Sequence, residues 1–542
     1  MSRDLPSTEQ YAIELSNRLR AAGPVPRRRF IQAIAALGAL AMLPRGAHAQ
    51  AAPPRFVSNP FTLGVGSGYP RADGVTLWTR LAPLPLQADG GLMPSETLPV
   101  TWQVAEDERF ARVVAEGGRR AVSETAHSVH IDVTGLRPDR PYFYRFLCGH
   151  EVSPTGRTRT APAPGTEGSP LRFAIASCQH YEQGHFSGYR HLIDDEPTLT
   201  LFLGDYIYRG SWGRSLVRRH HGGEPISLEE YRARHAQYKT DPHLQRAHGA
   251  MPWLVTWDDH EADNDYAGVL SEDLDPRFLL RRAAAYQAYF EHMPLPTHSR
   301  PRLDGSLRLY QTVDWGRQAR FLMLDNRQYR SPQACPEPFK LGGSTTLDVA
   351  TCPELAEPNR TLLGVEQERW VEQELARGGV RWTVIGQQTL MADQDVQPGP
   401  GVKAWTDGWS GYPAARERFL DALRRTGASN PLVVGGDLHA TVAGNLIPQG
   451  GSTPIASEIC GTSMTADGAL PEEMAQRMAD NPHLVFGDGH TRGYVLLDVG
   501  ARAVDARLRG LDDVHLEETR VADVARFRVE EGRPGVQRVD AG

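Results

Sequence analysis

Residues 198–208 read TLTLFLGDYIY, a run apolar at every position but its threonines that leads straight into Gly204, Asp205 and, three positions on, Tyr208. The same kind of run recurs as LRFAIAS (171–177), WLVTWDD (253–259), ARFLMLD (319–325), RWTVIGQ (381–387) and PLVVGGD (431–437). Runs this uniformly apolar are strands buried on both faces. Helical periodicity fills the stretches 227–238, 276–292 and 364–377 between them. Buried strands alternating with helices predict an α/β sheet with helices outside. Ligands of such sheets collect beyond the carboxyl ends of the strands. Four of the six runs end in aspartate, and a fifth leads into Ser177 and Cys178.

Upstream the pattern changes. From Phe61 to about Thr160 short alternating runs (VTLWTRL, VTWQVA, HSVHIDV, YFYRFLC) are separated by turn residues, the signature of an antiparallel sandwich. VTGLRPDRPYFYRF (133–146) resembles a fibronectin type III strand, with Leu136 and Pro138 ahead of the alternating Tyr142 and Tyr144. No catalytic residue types cluster there, so packing or contact is its expected work. TAPAPGTEGSP (160–170) is the best boundary.

Further upstream, residues 27–49 join three arginines, an apolar stretch from Ile31 to Leu43 and small residues at Ala47 and Ala49. That is a secretory leader. Its thirteen apolar residues fall short of the roughly 20 that span a bilayer, so no permanent anchor is expected. Arg27–Arg29 followed by Phe30-Ile31 looks like a twin-arginine export signal, which makes the export machinery a partner and the periplasm or the outside of the cell the destination. The stretch from Ser7 to Ala22 is helix-like, and the leader pattern does not account for it. The expected organisation is therefore a leader (1–49), a β-sandwich (50–160), a catalytic domain (161–515) and a C-terminal tail (516–542).

Composition bounds the partners. The 542 residues, 40% of them hydrophobic, are enough for one or two full cores and rule out intrinsic disorder. The net charge of −7 becomes −11 once the leader is removed, leaving 52 basic and 63 acidic residues. Stable nucleic-acid binding, which needs a basic face to displace counterions, is not expected.

The strand ends carry the chemistry. A carboxylate at Asp205 faces the active edge, and Tyr208 can fold back to ligate the same ion as a phenolate, a donor that suits ferric iron. PWLVTWDDHEADNDYAG (252–268) sets Asp258, Asp259, His260, Glu261, Asp263, Asn264 and Asp265 within eight positions. Five acids in one pocket raise each other's pKa, and bound cations would resolve the conflict. In PLVVGGDLHA, Asp437 and His439 alternate and project to one side of an extended chain. In FAIASCQHY, Cys178 offers a thiolate, which would explain a free cysteine in an oxidising compartment. Of the five cysteines, Cys335 and Cys352 flank a Gly/Pro/Ser/Thr-rich loop suited to a disulfide, while Cys148 and Cys460 lie in apolar strands as small buried hydrophobes.

Taken in order, these motifs resemble the calcineurin-like metallophosphoesterases, most closely the PhoD-like alkaline phosphatase and phosphodiesterase family. The resemblance covers about residues 56–515: PFTLGVGSGYPRADGVTLWTRLAP, then ASCQ, GDYIY, WDDHEADNDY, LDNRQYR, GVEQERWVEQEL and GGDLHA. It implies an α/β metallophosphoesterase core behind the sandwich and a site holding iron (Fe3+) and calcium. Cys178, Asp205, Tyr208 and His439 would hold the iron, with Asp205 bridging. Asn264 and Asp437 would hold calcium, and Asp259 joins the metal residues, although the division of Asp258, Asp259 and Asp263 between ligand and supporting roles stays open. Asn326 departs from the LDTRQY usual in relatives, which leaves the metal set intact and affects only local phosphate contacts.

The expected reaction is hydrolysis of phosphate monoesters and diesters at alkaline pH by a metal-bridged hydroxide. His260 would protonate the leaving oxygen or stabilise the transition-state charge, and Arg327 would clamp a phosphate oxygen or sit in a surface salt bridge. Covalent alternatives fail: no cysteine has Arg six positions on, C-x-P-x-R and G-x-x-x-x-G-K-[ST] are absent, and GWSGY (408–412) misses G-x-S-x-G. A phospholipase D-like specificity would need an apolar rim, for which Trp405, Trp409 and Tyr412 are the candidates, with packing as their competing role. A secreted metal-binding or adhesion protein would fit the sandwich but not the residues at the strand ends.

Overall fold

Two mixed sheets lie at the centre of the protein, and their parallel strands are the apolar runs that dominate the sequence. The computed structural model describes residues 54–539 except 57, 88, 94–95, 338–341 and 398. The leader expected over 1–49 and the helix-like stretch 7–22 lie outside these residues.

The first sheet has ten strands, in the order Arg533–Val539, Val521–Glu530, Ala503–Leu511, Arg492–Val499, Leu171–Ala176, Leu199–Leu203, Pro252–Thr256, Val65–Arg71, Gly74–Arg80, Ser128–Val133. Leu171–Ala176, Leu199–Leu203 and Pro252–Thr256 run parallel. The second has seven: Gln311–Trp315, Ala319–Met323, Trp382–Gly386, Pro431–Gly435, Ala456–Cys460, Thr441–Leu446, Leu484–Asp488. Its parallel core is Ala319–Met323, Trp382–Gly386, Pro431–Gly435 and Ala456–Cys460.

The two-residue period of a strand explains how these sheets are layered. Phe321, Met323, Val384, Leu432 and Val434 share one core with the first sheet, where the rings of Phe173 and Phe321 meet edge to face at 5.3 Å. The intervening Leu322, Ile385 and Val433 join a second core with Val371 and Leu375 of helix Val365–Ala376 and with Phe419, Leu420 and Leu423 of helix Pro413–Thr426. Helices Gly188–Asp194, Leu228–Lys239, Pro242–Ala250 and Phe278–His292 pack on the first sheet, for example through Tyr189 on Trp253 and Tyr286 on Trp257. The helix expected at 227–238 begins where Ser227 accepts the Glu230 N–H and Glu230 returns the bond, a capping box.

Two expectations need correction. The segment 50–160 packs as the expected two-layered sandwich but is not set apart from the α/β part: Val65–Arg71, Gly74–Arg80 and Ser128–Val133 continue the ten-stranded sheet at one end, and Val65–Arg71 pairs in parallel with Pro252–Thr256. Only the facing sheet, built from Thr97–Ala105, Val113–Val122, Pro141–Cys148 and two short strands, is separate. A core of Val75, Leu77, Val129 and Ile131 against Val100, Val104, Tyr144 and Phe146 fills the gap between them. The C-terminal residues are not a tail either, because Val521–Glu530 and Arg533–Val539 extend the same sheet. Their alternation of buried and exposed positions was present in VADVARFRVE but lies beyond the motifs that drew attention to the core.

Cys335 and Cys352 are disulfide-bonded, while Cys148, Cys178 and Cys460 are free and buried. With its ends 17 positions apart in sequence, the bridge restricts the unfolded chain by about 3 kcal/mol. Cys335→Ser is expected to lower stability by that order in denaturant titrations, with no change in metal content.

A second prediction concerns Glu458, buried in strand Ala456–Cys460, where it accepts the N–H groups of Met391 and Ala392 at 2.7 and 2.6 Å. Burial pushes its carboxyl up to about 7. A carboxyl raised on folding stabilises fully at low pH and loses that contribution as pH climbs towards 7, at about 1.4 kcal/mol per unit. Wild type should therefore lose stability between about pH 5 and 7 relative to Glu458→Gln, as read from paired melting curves.

Candidate metal centre

Four loops meet at the carboxyl ends of the parallel strands, three from the first sheet and one from the second. Cys178 follows Leu171–Ala176, Asp205 and Tyr208 follow Leu199–Leu203, the acidic stretch 258–265 follows Pro252–Thr256, and Asp437 and His439 follow Pro431–Gly435. Each turn is sharp. Cys178, Asp205, Asp437 and His439 all have left-handed backbone, with φ of 55°, 56°, 65° and 51°. Such non-glycine geometry costs of order 1–3 kcal/mol per residue and persists only where the surroundings enforce it. Glycine is required at 204, since φ is 106° and a Cβ there would lie 2.5 Å from Asp258 Cβ.

Glu261 supplies much of the enforcement. Its buried carboxylate accepts the N–H groups of Asp205 (3.2 Å), Tyr206 and Asp258 (2.8 Å), tying the second strand's loop to the third's. Nothing in DDHE distinguishes this acid from its neighbours, and its role emerges only from the backbone N–H groups around it.

The donor atoms converge. Cys178, Asp205 and His439 form one set whose ligand atoms lie within 4.8 Å of one another; Asp205, Asp258 and Asp437 form a second; Asp205, Asp259 and His260 form a third. Asp205 belongs to all three. The Tyr208 hydroxyl lies 2.9 Å from Asp205 Oδ2 and 2.8 Å from His439 Nε2. His439 Nδ1 is 2.7 Å from the Asp467 carbonyl, which can only accept, so the ring proton belongs on Nδ1 and Nε2 keeps its lone pair. The ring of Trp212 stacks on His439 at 5.7 Å and 3°.

The electrostatics agree with this geometry. Burial, reinforced by Asp259, Asp258, Glu261 and Asp437, drives the Asp205 carboxyl well above the ordinary range. Burial pushes Asp437 up to about 7 and raises the Cys178 thiol and the Tyr208 phenol well above their usual values. Asp259 is held low despite its burial by His260 and Arg327. Asp205 Oδ1, Asp258 Oδ2, Asp437 Oδ2 and His260 Nδ1 are buried without a hydrogen-bond partner. Buried carboxylate oxygens left unpaired are costly. A cation would supply both the missing partner and the missing charge, so this donor set fits metal ions.

Other expected residues occupy different positions. Asn264 lines the cavity with its amide nitrogen donating to Glu272 at 3.1 Å. Asp263 is turned away into ion pairs with Arg209 (2.7 Å) and Arg281 (3.1 Å). Of the two expected roles of Arg327 the structure has the salt bridge and corrects its place: the guanidinium is buried, not on the surface, and paired with Asp258 and Asp407, which leaves it away from any substrate oxygen. Asp407, missed in the sequence, is shared with Arg330 at 2.6 Å. Asn326 is buried and donates to Gln387. Trp409 and Tyr412 belong to the outer core, which leaves Trp405 as the one rim candidate at the cavity.

The donors floor a cavity of about 620 Å³. Asp205, Asp259, His260, Asp437 and His439 form its base, and Gln394, Gln397, Gln476 and Arg477 give it a polar wall.

Comparison with known proteins agrees with this architecture. Residues 173–508 match the family described as PhoD-like phosphatase, and residues 47–162 match the PhoD-like phosphatase N-terminal domain. The chain is 40% identical over 533 residues to alkaline phosphatase D of Bacillus subtilis (strain 168), covering 95% of this chain and 89% of that protein. It superposes on a solved structure described as "Structure of PhoD" with a TM-score of 0.84 and 40% identity, covering 90% of this chain and 94% of the other. With both segments matched and the relationship running along nearly the whole chain, this protein belongs to the PhoD-like phosphatase family.

Proposed function

We propose that this phosphatase is an exported, metal-dependent hydrolase of phosphate monoesters and diesters, with iron on Cys178, Asp205, Tyr208 and His439 and calcium on Asp205, Asp437 and Asn264, next to Asp258 and Asp259. The observation that carries the reading is Asp205, common to three convergent donor sets and left with an unpartnered buried oxygen. The soft thiolate with phenolate and imidazole suits iron, and the all-oxygen set suits calcium. The two-sheet core between helices supports the metallophosphoesterase fold.

When bound, the cations would lower the pKa of a water ligand and neutralise charge building on the phosphoryl oxygens. The chain's own residues do the rest. Asp205 keeps the two donor sets at a fixed separation, and Glu261 keeps Asp205 and Asp258 in register. The Arg327 ion pair holds Asp258 against its like-charged neighbours. His260, at the cavity with its Nδ1 unpartnered, is the side chain placed to give a proton to the leaving alcohol oxygen. The cavity of about 620 Å³ over these donors offers room for a diester's second substituent, which supports both monoesters and diesters as substrates.

Trp409 and Tyr412 lie in the core, so of the three aromatics only Trp405 reaches the cavity, with Val396 and Leu438 among a mostly polar lining, which favours a phosphate ester over a lipid. Family membership excludes the adhesion reading. Export rests on the arginine-led stretch 27–49, which implies the twin-arginine machinery as a partner and a periplasmic or secreted protein; N-terminal sequencing should then begin at Gln50.

Activity on a nitrophenyl monoester, a bis-nitrophenyl diester and phosphatidylcholine tests the proposal directly. The first two should be cleaved, the lipid should not, and chelation should abolish turnover. Full activity in metal-free protein would sink the mechanism. Cys178→Ala and Tyr208→Phe should deplete iron, Asn264→Ala should chiefly weaken calcium, and His260→Ala should cost about 10²–10⁴-fold in turnover with metals retained. Arg327→Ala leaves buried carboxylates uncompensated, so a stability loss of about 3–5 kcal/mol is expected by thermal unfolding.

A further inference from the structure

Residues 463–468 contribute nothing to the lining of the reaction cavity among the described residues, yet three of the converging donors rest on them. Met464 N–H donates to the Ser177 carbonyl at 2.9 Å, and the N–H groups of Thr465 and Ala466 donate to the Cys178 carbonyl at 3.4 and 3.2 Å. Ala466 packs with Cys178 and Tyr208 in one small apolar cluster. The carbonyl of Asp467 receives His439 Nδ1 at 2.7 Å. One short loop therefore sets the backbone of Cys178, backs the ring of Tyr208 and orients the ring of His439.

Arg492, the first residue of strand Arg492–Val499, holds that loop. Its Nη1 donates to Ser463 Oγ and to the Ala466 carbonyl, both at 2.5 Å, and its Nη2 donates to the Gly489 carbonyl. The next residue, Gly493, sends its N–H to the Ser463 carbonyl at 3.0 Å. Arg492 is 8% exposed, and among the described residues no carboxylate lies within ion-pair distance of it. A buried guanidinium spent on uncharged acceptors is unusual, because burying a charge normally demands a counter-charge. The nearest opposite charges are those of Asp488 and Asp467, at longer range than an ion pair, so the guanidinium is held chiefly by the loop's own oxygens. Close contact reinforces the arrangement: a Cβ on Gly468 would lie 2.2 Å from the His439 carbonyl and 2.4 Å from Arg492 Nη2. Gly468 is therefore packed against both the His439 backbone and the Arg492 guanidinium, with no room for a side chain.

We propose that Arg492 is the positioning residue for the Cys178, Tyr208 and His439 end of the centre, fixing the 463–468 loop so that thiolate, phenolate and imidazole present to one ion. The inference rests on the reading that these three donors hold iron. Arg492 touches neither substrate nor ion, so turnover alone would not reveal its role.

The test compares wild type, Arg492→Lys, Arg492→Met and Gly468→Ala, each purified as the full exported chain. Iron and calcium per chain and the visible charge-transfer absorption are measured before and after dialysis. Arg492→Met should weaken iron retention about 10–100-fold, the range found when a residue supporting a metal ligand is removed. Its visible band should move or vanish while calcium stays. Arg492→Lys keeps the charge but not the forked donors, so it should fall between the two. Gly468→Ala, which leaves every charge in place, should also lose iron selectively, and it decides the matter if Arg492→Met does not fold. Wild-type iron content with an unshifted band in Arg492→Met, or equal loss of iron and calcium in every variant, overturns the inference alone. A wild type with neither iron nor a visible band overturns the iron reading and this inference with it.

Discussion

Mutual repulsion among carboxyl groups buried at one point is the constraint on which the rest of the structure depends. Asp205, Asp258, Asp259 and Asp437 meet where the loops of the two sheets converge, the first three buried and Asp437 half-buried at the cavity. Such a cluster is tolerable only if each carboxylate is bonded, paired with a cation or protonated. The protein uses all three routes. Backbone N–H groups serve Asp259, Arg327 serves Asp258, and burial among like charges raises the carboxyls of Asp205 and Asp437, which favours their neutral form or a bound cation. Around this point the layers are rigid: the parallel strands end in left-handed turns that aim the donors, and Glu261 locks two of those turns together.

Most of that was legible because strand ends and motif order are local. The apolar runs identified the parallel strands, and the residues just past their ends are those that converge: Cys178, Asp205, Tyr208, the stretch after Thr256, Asp437 and His439. A two-residue period and a glycine before an aspartate leave marks in the sequence whatever lies elsewhere in the fold.

What escaped was nonlocal. Arg327 was visible as a charge two residues past Asp325, but whether an arginine meets substrate or a buried acid depends on Asp258 and Asp407, 69 and 80 positions away in sequence. Glu261 resembled any other acid in its run. The membership of Gly74–Arg80 and Val521–Glu530 in one sheet escaped for the same reason, since edge pairing is set by distant partners. The polar character of the cavity wall came from Gln394, Gln397 and Arg477, residue types that carry no motif.

The position of Leu171–Ala176 in the large sheet also governs how the protein is made. Its neighbour on one side is Leu199–Leu203, but on the other it is Arg492–Val499. A ribosome delivers the second neighbour more than three hundred residues after the strand that needs it. Until then the nascent chain carries an open strand edge beside Cys178, an edge that natural proteins otherwise shield because it invites pairing with another chain. Pairings this distant in sequence are slow to close. Completion of this sheet therefore has to wait until residues 492–499 have been made, and until then the edge beside Cys178 is open to pairing with another copy.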